Sequence, residues 1–147
     1  MDPKIIGMLG AGLVMGISAL GSAVSMGIAG TAAVGAWKRC YKANKPAPMT
    51  LLTFVGFPLT QTFYGFILMG QIKAVTATPE NAGLLLGLGI GAGIAIAASA
   101  IAEGKIGAAA SDALSETGQG LVNYIAVLGI CETVALFAMV LTMTSLG

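Results

Sequence analysis

Of the 147 residues, 56% are hydrophobic and only 9% are charged, against roughly 25% charged residues in a soluble domain, so the chain reads as a membrane protein. A net charge of +1 offers no basis for a nucleic-acid partner, and the absence of histidine removes the commonest metal ligand and acid–base group. Soluble-enzyme chemistry is therefore poorly supported.

A bilayer core of about 30 Å takes about 20 helical residues, and four longer apolar runs follow one another, at residues 5–36, 50–74, 82–111 and 119–146. The first, beginning MDPKIIGMLGAG, has an acidic second residue and no cleavage site after its apolar stretch, so it is expected to be retained as a span and not removed as a signal peptide. Its break, WKRCYKANKPAP, reads as a polar loop holding Cys40. Trp37 and Tyr41 would anchor the interface there, and Lys38, Arg39, Lys42 and Lys45 favour a cytoplasmic side for this connection and the third. The second span carries Pro58, which denies the helix one backbone bond and can free a carbonyl near residue 54. TATPENAG separates it from the third span, and SDALSETGQG separates the third from the fourth. Cys131, in the fourth, is read as a packing residue; the two cysteines should lie at different depths and remain free.

The spans repeat. LGAGLVMGISALGSAVSMGIAG (9–30) set against AGLLLGLGIGAGIAIAASAIAE (82–103) pairs Gly10 with Gly83, Gly16 with Gly89 and Ala19 with Ala92. FPLTQTFYGF (57–66) set against LGICETVALF (128–137) pairs Thr62 with Thr133, Phe66 with Phe137, and Gln61 with Glu132. The chain therefore reads as a duplicated two-helix hairpin, 1–75 and 76–147, in an all-α membrane protein. Spans one and three are dense in Gly and Ala, which lets backbones approach closely in lipid. This serves either tight packing within one chain or an inner ring of many copies. In the ring arrangement, spans two and four would turn Phe54, Phe57, Phe63, Phe66 and Phe137 outward.

The fourth span, YIAVLGICETVALFAMVLTM, holds a single ionisable acid, Glu132, near its middle. A charge there costs ~2.5–3.5 kcal/mol on insertion scales, so intramembrane acids are commonly functional. Gln61 falls at the same depth in span two, with Thr60 beside it and Tyr64 one turn on; Thr133 adjoins Glu132. Carboxylate, amide, hydroxyl and phenol oxygens suit a proton or an alkali cation and do not suit zinc or copper. Glu103, in AIAEGKIGA, is a second intramembrane acid, readable either as a polar contact or as a ligand of the Glu132 site. Lys105, two residues on, points elsewhere on its helix. Glu132 itself is either a permanently protonated structural acid or a carrier that a bound proton or Na+ neutralises when it faces lipid.

Together, the duplicated hairpin, the Gly/Ala-rich odd spans, FPLTQTFYGF, AEGK and CETVALF resemble the proteolipid, called K or c, of the membrane ring in V-type and archaeal-type rotary ATPases. The resemblance covers essentially the whole chain. It implies four transmembrane helices per copy, copies assembled side by side into a homo-oligomeric ring, and an ion carried at Glu132 by rotation coupled to ATP hydrolysis or synthesis. It further implies that Gln61 is the duplicated half's lost acid. In sodium-transporting members the positions of Thr60 and Gln61 and a backbone carbonyl, which would fall at Phe57, are ligands. The Tyr64 position hydrogen-bonds the carboxylate, and Glu103 stands where a glutamine is expected. The ligand count favours Na+, with H+ as the alternative. No phosphate-binding motif is present, so no nucleotide is expected on this non-catalytic chain. The implied partners are an arginine-bearing stator subunit, a central stalk facing the basic loop, and membrane lipid. The location would be a prokaryotic plasma membrane, which the compact chain favours over a vacuolar one. A tetraspan oligomeric channel or transporter is the rival, disfavoured because span four has no continuous polar face. A scaffold that binds no ion would require that Glu132→Gln leave transport intact.

Overall fold

The structure, a computed structural model, describes residues 1–147 and is wholly helical. Its elements are α1 (Pro3–Lys42), α2 (Leu51–Gly56), a 3₁₀ turn (Phe57–Leu59), α3 (Thr60–Ala74), α4 (Ala82–Thr117) and α5 (Leu121–Leu146). With α2, the turn and α3 taken as one span, four helices are long and apolar enough to cross a membrane. The chain is an integral multi-pass membrane protein.

α1 begins where the sequence supplies a cap: the Asp2 carboxylate accepts the Lys4 amide at 2.8 Å, and Pro3 occupies the first helical position, where its missing N–H costs nothing. At 40 residues it is about 60 Å long, well beyond the bilayer core. The expected loop WKRCYKANKPAP is therefore helical as far as Lys42, and Cys40, placed in a loop by sequence, is a buried helical residue. Likewise α4 continues past 111 through SDALSET to Thr117. Hydropathy marks where solvent changes, and nothing in these polar segments stops a helix. α1 stops where Asn44 adopts a left-handed φ of 51° and the Lys45 amide reaches back to the Cys40 carbonyl at 2.9 Å. α4 ends on Gly118, at φ 67°, whose amide bonds the Leu114 carbonyl at 2.8 Å.

α1 and α4 form the central pair. Glycine makes this possible: a methyl group on Gly89 would overlap the Gly10 backbone, one on Gly21 the Ala97 backbone, and one on Gly104 would lie 2.5 Å from Ser25 Oγ and 2.6 Å from the Ser25 carbonyl oxygen. Between lipid-embedded helices no water is expelled, so this contact rests on dispersion and on polar links such as Ser25 Oγ donating to the Ala100 carbonyl at 2.5 Å. α3 packs on α1 through Gly65, where a methyl would meet Ser18 Cβ at 2.6 Å, and α5 packs on α4. Tight packing within one chain thus accounts for Gly10, Gly21, Gly65, Gly89 and Gly104, whereas Gly12, Gly16, Gly27, Gly87 and Gly91 open outward with nothing near.

Two apolar clusters lie towards opposite ends of the bundle. One centres on Val14, Leu68, Leu85 and Ile96, the other on Ala36, Leu51, Phe54 and Leu128. Phe63, Phe66 and Phe137 face outward as expected, but Phe54 is fully buried and meets Tyr124 edge-on at 6.2 Å, and Phe57 is half-buried. Trp37 donates to the Pro48 carbonyl at 2.8 Å, tying the first connection down, while Tyr41 is exposed. Arg39 and Asp112 form an ion pair between α1 and α4.

Gly104→Ala should destabilise the chain by about 1–3 kcal/mol, the usual range for overpacking, because its methyl meets backbone as well as the Ser25 hydroxyl. Gly91→Ala, which adds a methyl to open space, should leave thermal unfolding of the detergent-solubilised single chain near wild type.

Candidate ion-binding site

The first turns of α3 are placed by the 3₁₀ turn before them. Pro58 has no N–H to give, so the backbone tightens over Phe57–Leu59, and the Thr60 amide bonds the Phe57 carbonyl three residues back. The Phe54 carbonyl, which a residue other than proline at 58 would have bonded, does not turn to the polar cluster. It abuts α4 at Gly107, where a methyl would lie 2.9 Å from it, so the carbonyl that sequence offers near residue 54 is directed elsewhere.

Beyond the turn, Thr60, Gln61 and Tyr64 face two different acids. Gln61 is fully buried and donates through Nε2 to Glu103 Oε1 at 2.7 Å. Its own oxygen lies 3.2 Å from the Thr60 hydroxyl, which also approaches the Phe57 carbonyl at 3.0 Å. One turn on, the Tyr64 hydroxyl donates to Glu132 Oε1 at 2.6 Å. α3 thus holds Glu103 of α4 with its amide and Glu132 of α5 with its phenol. Thr60, Gln61, Glu103 and the Phe57 carbonyl thus form one hydrogen-bonded chain of oxygen-bearing groups on α3, with the Tyr64–Glu132 pair beside it one turn on.

The remaining sequence candidates fall outside this chain. Thr133, rotated about 100° from Glu132 along the helix, is exposed and bonds back to the Ile130 carbonyl at 2.6 Å. Lys105 is exposed and makes no ion pair; the one ion pair is Arg39–Asp112. Sequence reading missed Ser99. Its hydroxyl donates to the Cys131 carbonyl at 2.9 Å, clamping α5 to α4 next to Glu132, and the Cys131 thiol turns towards the Ser99 carbonyl at 3.8 Å. The available signal was its position one turn before Glu103.

Glu103 is fully buried, and its Oε2 has no hydrogen-bond partner. A carboxylate oxygen bare in a water-poor interior is costly, so this atom calls for a proton or a cation. No cluster of three His, Cys, Asp or Glu side chains exists. The donors are two carboxylates, an amide, hydroxyls and a carbonyl, a hard-oxygen set that fits an alkali cation or a proton.

Four spanning helices, with oxygen-bearing side chains gathered beside a buried intramembrane acid, define a multi-pass membrane protein. Likeness to known proteins names the class: the family signature of the ATP synthase C subunit matches residues 9–69 and again 86–144. The chain belongs to that family, the c/K proteolipid, which is a non-catalytic, ion-translocating membrane component of ATP synthases. It is also 37% identical over 94 residues to the A-type ATP synthase subunit K of Methanocaldococcus jannaschii, an overlap covering 60% of this chain and 40% of that protein's length.

Gln61→Leu should destabilise the chain by about 1–3 kcal/mol by stripping Glu103 of its donor. Adding Glu103→Leu should restore part of the loss. A double-mutant cycle by thermal unfolding in detergent measures the coupling, expected at roughly 0.5–3 kcal/mol.

Proposed function

We propose that the chain is a rotor-ring subunit of an A/V-type rotary ATP synthase or ATPase that takes up one cation at Glu132 and carries it across the membrane as a homo-oligomeric ring turns. The observation that carries this reading is the Tyr64–Glu132 hydrogen bond at 2.6 Å on a half-buried side chain. A carboxylate held in one orientation and still partly accessible can load and unload a cation. ATP chemistry then belongs to other subunits, and the names of the family and of its archaeal relative support the assembly.

Na+ is the proposed cargo. Coordination would draw on Glu132, Gln61 Oε1, Thr60 Oγ1, the Phe57 carbonyl and Glu103. The unpartnered Glu103 Oε2 supports Na+, since a proton alone needs one oxygen and leaves this ligand set unused. A single Na+ between two carboxylates leaves one negative charge, which cannot face lipid unneutralised. The loaded state then needs one further positive charge at the site for neutrality. H+ transport is the second reading, favoured by the Thr60 hydroxyl already approaching the Phe57 carbonyl at 3.0 Å, which occupies two of the proposed ligands with each other. For unloading, a positive charge must meet Glu132, a role that fits an arginine on a membrane stator subunit. The basic residues Lys38, Lys42 and Lys45, exposed at one end, suit contact with a central stalk.

Dicyclohexylcarbodiimide, which reacts with a protonated carboxyl in apolar surroundings, tests both readings on the purified assembly. Labelling should fall on Glu132, rise as pH falls, and be suppressed competitively by Na+; Glu132→Gln should abolish both labelling and transport. Labelling that follows pH and ignores Na+ selects H+, and an unreactive Glu132 overturns the carrier mechanism. Tyr64→Phe should weaken Na+ protection by about ten- to a hundredfold, the loss of ~1.5–3 kcal/mol expected for a hydrogen bond to a charged group.

A further inference from the structure

The duplication gives every contact between the two halves of the chain a counterpart. With 9–30 set on 82–103, each residue of α1 has a repeat mate 73 places on in α4. Within the chain α1 and α4 meet at Gly10 with Gly89, at Val14 and Ile17 with Gly93, at Gly21 with Ala97 and at Ser25 with Gly104. Exchanging each residue for its mate gives a second set: Gly83 with Gly16, Gly87 and Ile90 with Leu20, Ile94 with Val24, and Ala98 with Thr31. All of these lie open at the surface of the chain. Gly16, Gly83 and Gly87 have empty space where a methyl would stand; Leu20 is 65% exposed, Ile94 56% and Val24 44%, and Ile90, Ala98 and Thr31 are exposed as well. Gly16 stands six residues after Gly10, and Gly89 six after Gly83, so the second face lies about 120° round each helix from the first. α1 and α4 each use one of these faces within the chain and leave the other unpartnered.

Granted the homo-oligomeric ring proposed for this chain, we infer that the two open faces meet each other between copies, α4 of one copy packing on α1 of the next in the register of the internal contact. Gly83 then lies against Gly16 of the next copy. Leu20 of that copy passes over Gly87 into the groove of about 310 Å³ that Gly87, Gly91 and Ala95 of α4 form with Ala138 and Leu141 of α5. A helix position that faces only lipid gains nothing from glycine, which costs about 0.5–1 kcal/mol there relative to alanine. At Gly16 and Gly83 glycine is accounted for by a second backbone that comes close, as it does at their mates Gly89 and Gly10. The joint between copies also differs from the one within them. Gly21 and Ala97 touch through backbone, whereas their mates Ile94 and Val24 are both β-branched, and side chains of that size hold helix axes about 8–10 Å apart. The joint is therefore close at Gly16–Gly83 and wider at Val24–Ile94.

Cysteine cross-linking of the full-length chain in its membrane tests the pairing. Cys40 and Cys131 are kept in every variant, and wild type serves as the blank. Under copper phenanthroline, Gly16→Cys/Gly83→Cys should give a ladder of dimer, trimer and higher bands on a non-reducing gel, since a disulfide forms when Cα atoms come within about 4.4–6.8 Å. Each single variant, and the out-of-register pair Gly16→Cys/Ile94→Cys, should stay at the monomer band. Val24→Cys/Ile94→Cys should form the ladder only with a bifunctional thiol reagent whose spacer is about 8–10 Å. A direct disulfide there as fast as at Gly16–Gly83 would overturn the wider joint. Faces covered by lipid or by another protein leave Gly16→Cys/Gly83→Cys without a ladder, which overturns the pairing. Native mass spectrometry of wild type then separates two cases: an oligomer confines the failure to the pairing, and a monomer overturns the ring as well. If Gly16→Cys/Gly83→Cys does not accumulate in the membrane, Thr31→Cys/Ala98→Cys with the spanning reagent gives the same decision.

Discussion

The backbone contact between α1 and α4 governs the rest of the structure. Gly10 against Gly89, Gly21 against Ala97 and Ser25 against Gly104 bring the backbones of two long helices into direct contact. With backbone against backbone at these points, α3 can touch both partners at once, resting on Ser18 of α1 through Gly65 while extending Gln61 to Glu103 of α4. A glutamine side chain has little reach to spare. Were the central pair spaced by leucines, the amide would fall short of Glu103 and the phenol of Tyr64 would no longer stand over Glu132.

That geometry creates an electrostatic demand that the fold alone does not satisfy. Gln61 supplies one hydrogen bond to Glu103 and Tyr64 one to Glu132, and Glu103 Oε2 is left bare. Completed polar networks rigidify a core, while incomplete ones favour whatever completes them. A carrier requires this kind of incompleteness: a site satisfied by its own side chains would have no affinity for cargo. The Ser99–Cys131 link beside it is mechanical, fixing α5 through backbone and leaving the Glu132 side chain to the Tyr64 hydroxyl.

The spans and the acid at the centre of the fourth were legible because lipid imposes a strict rule on polarity along the chain. Helix ends were not, since Trp37–Lys42 and Ser111–Thr117 change solvent without changing conformation. The pairing of Gln61 with Glu132 as repeat equivalents was readable by alignment. That Gln61 would bond Glu103 was not, because one-dimensional spacing carries no information about which neighbouring helix a given face meets; the Tyr64 bond to Glu132 was implied by the family resemblance alone. Phe54 shows the same limit: its hydrophobicity suited lipid or core equally, and only the edge contact with Tyr124 decides for core.

The turn at Phe57–Leu59 does more than accommodate a proline. Its three residues tighten the backbone without breaking the span's register: the buried positions Leu51, Phe54, Pro58, Gln61, Gly65 and Leu68 follow one another three and four apart. The second span therefore presents one face to its neighbours on both sides of the turn. Before the turn, Phe54 points into the bundle and fills its core. After it, the inward azimuth belongs to Gln61, Gly65 and Leu68. One imino acid thus opens the hydrogen-bond ladder while the span keeps a single buried stripe, greasy at Phe54 and polar at Gln61.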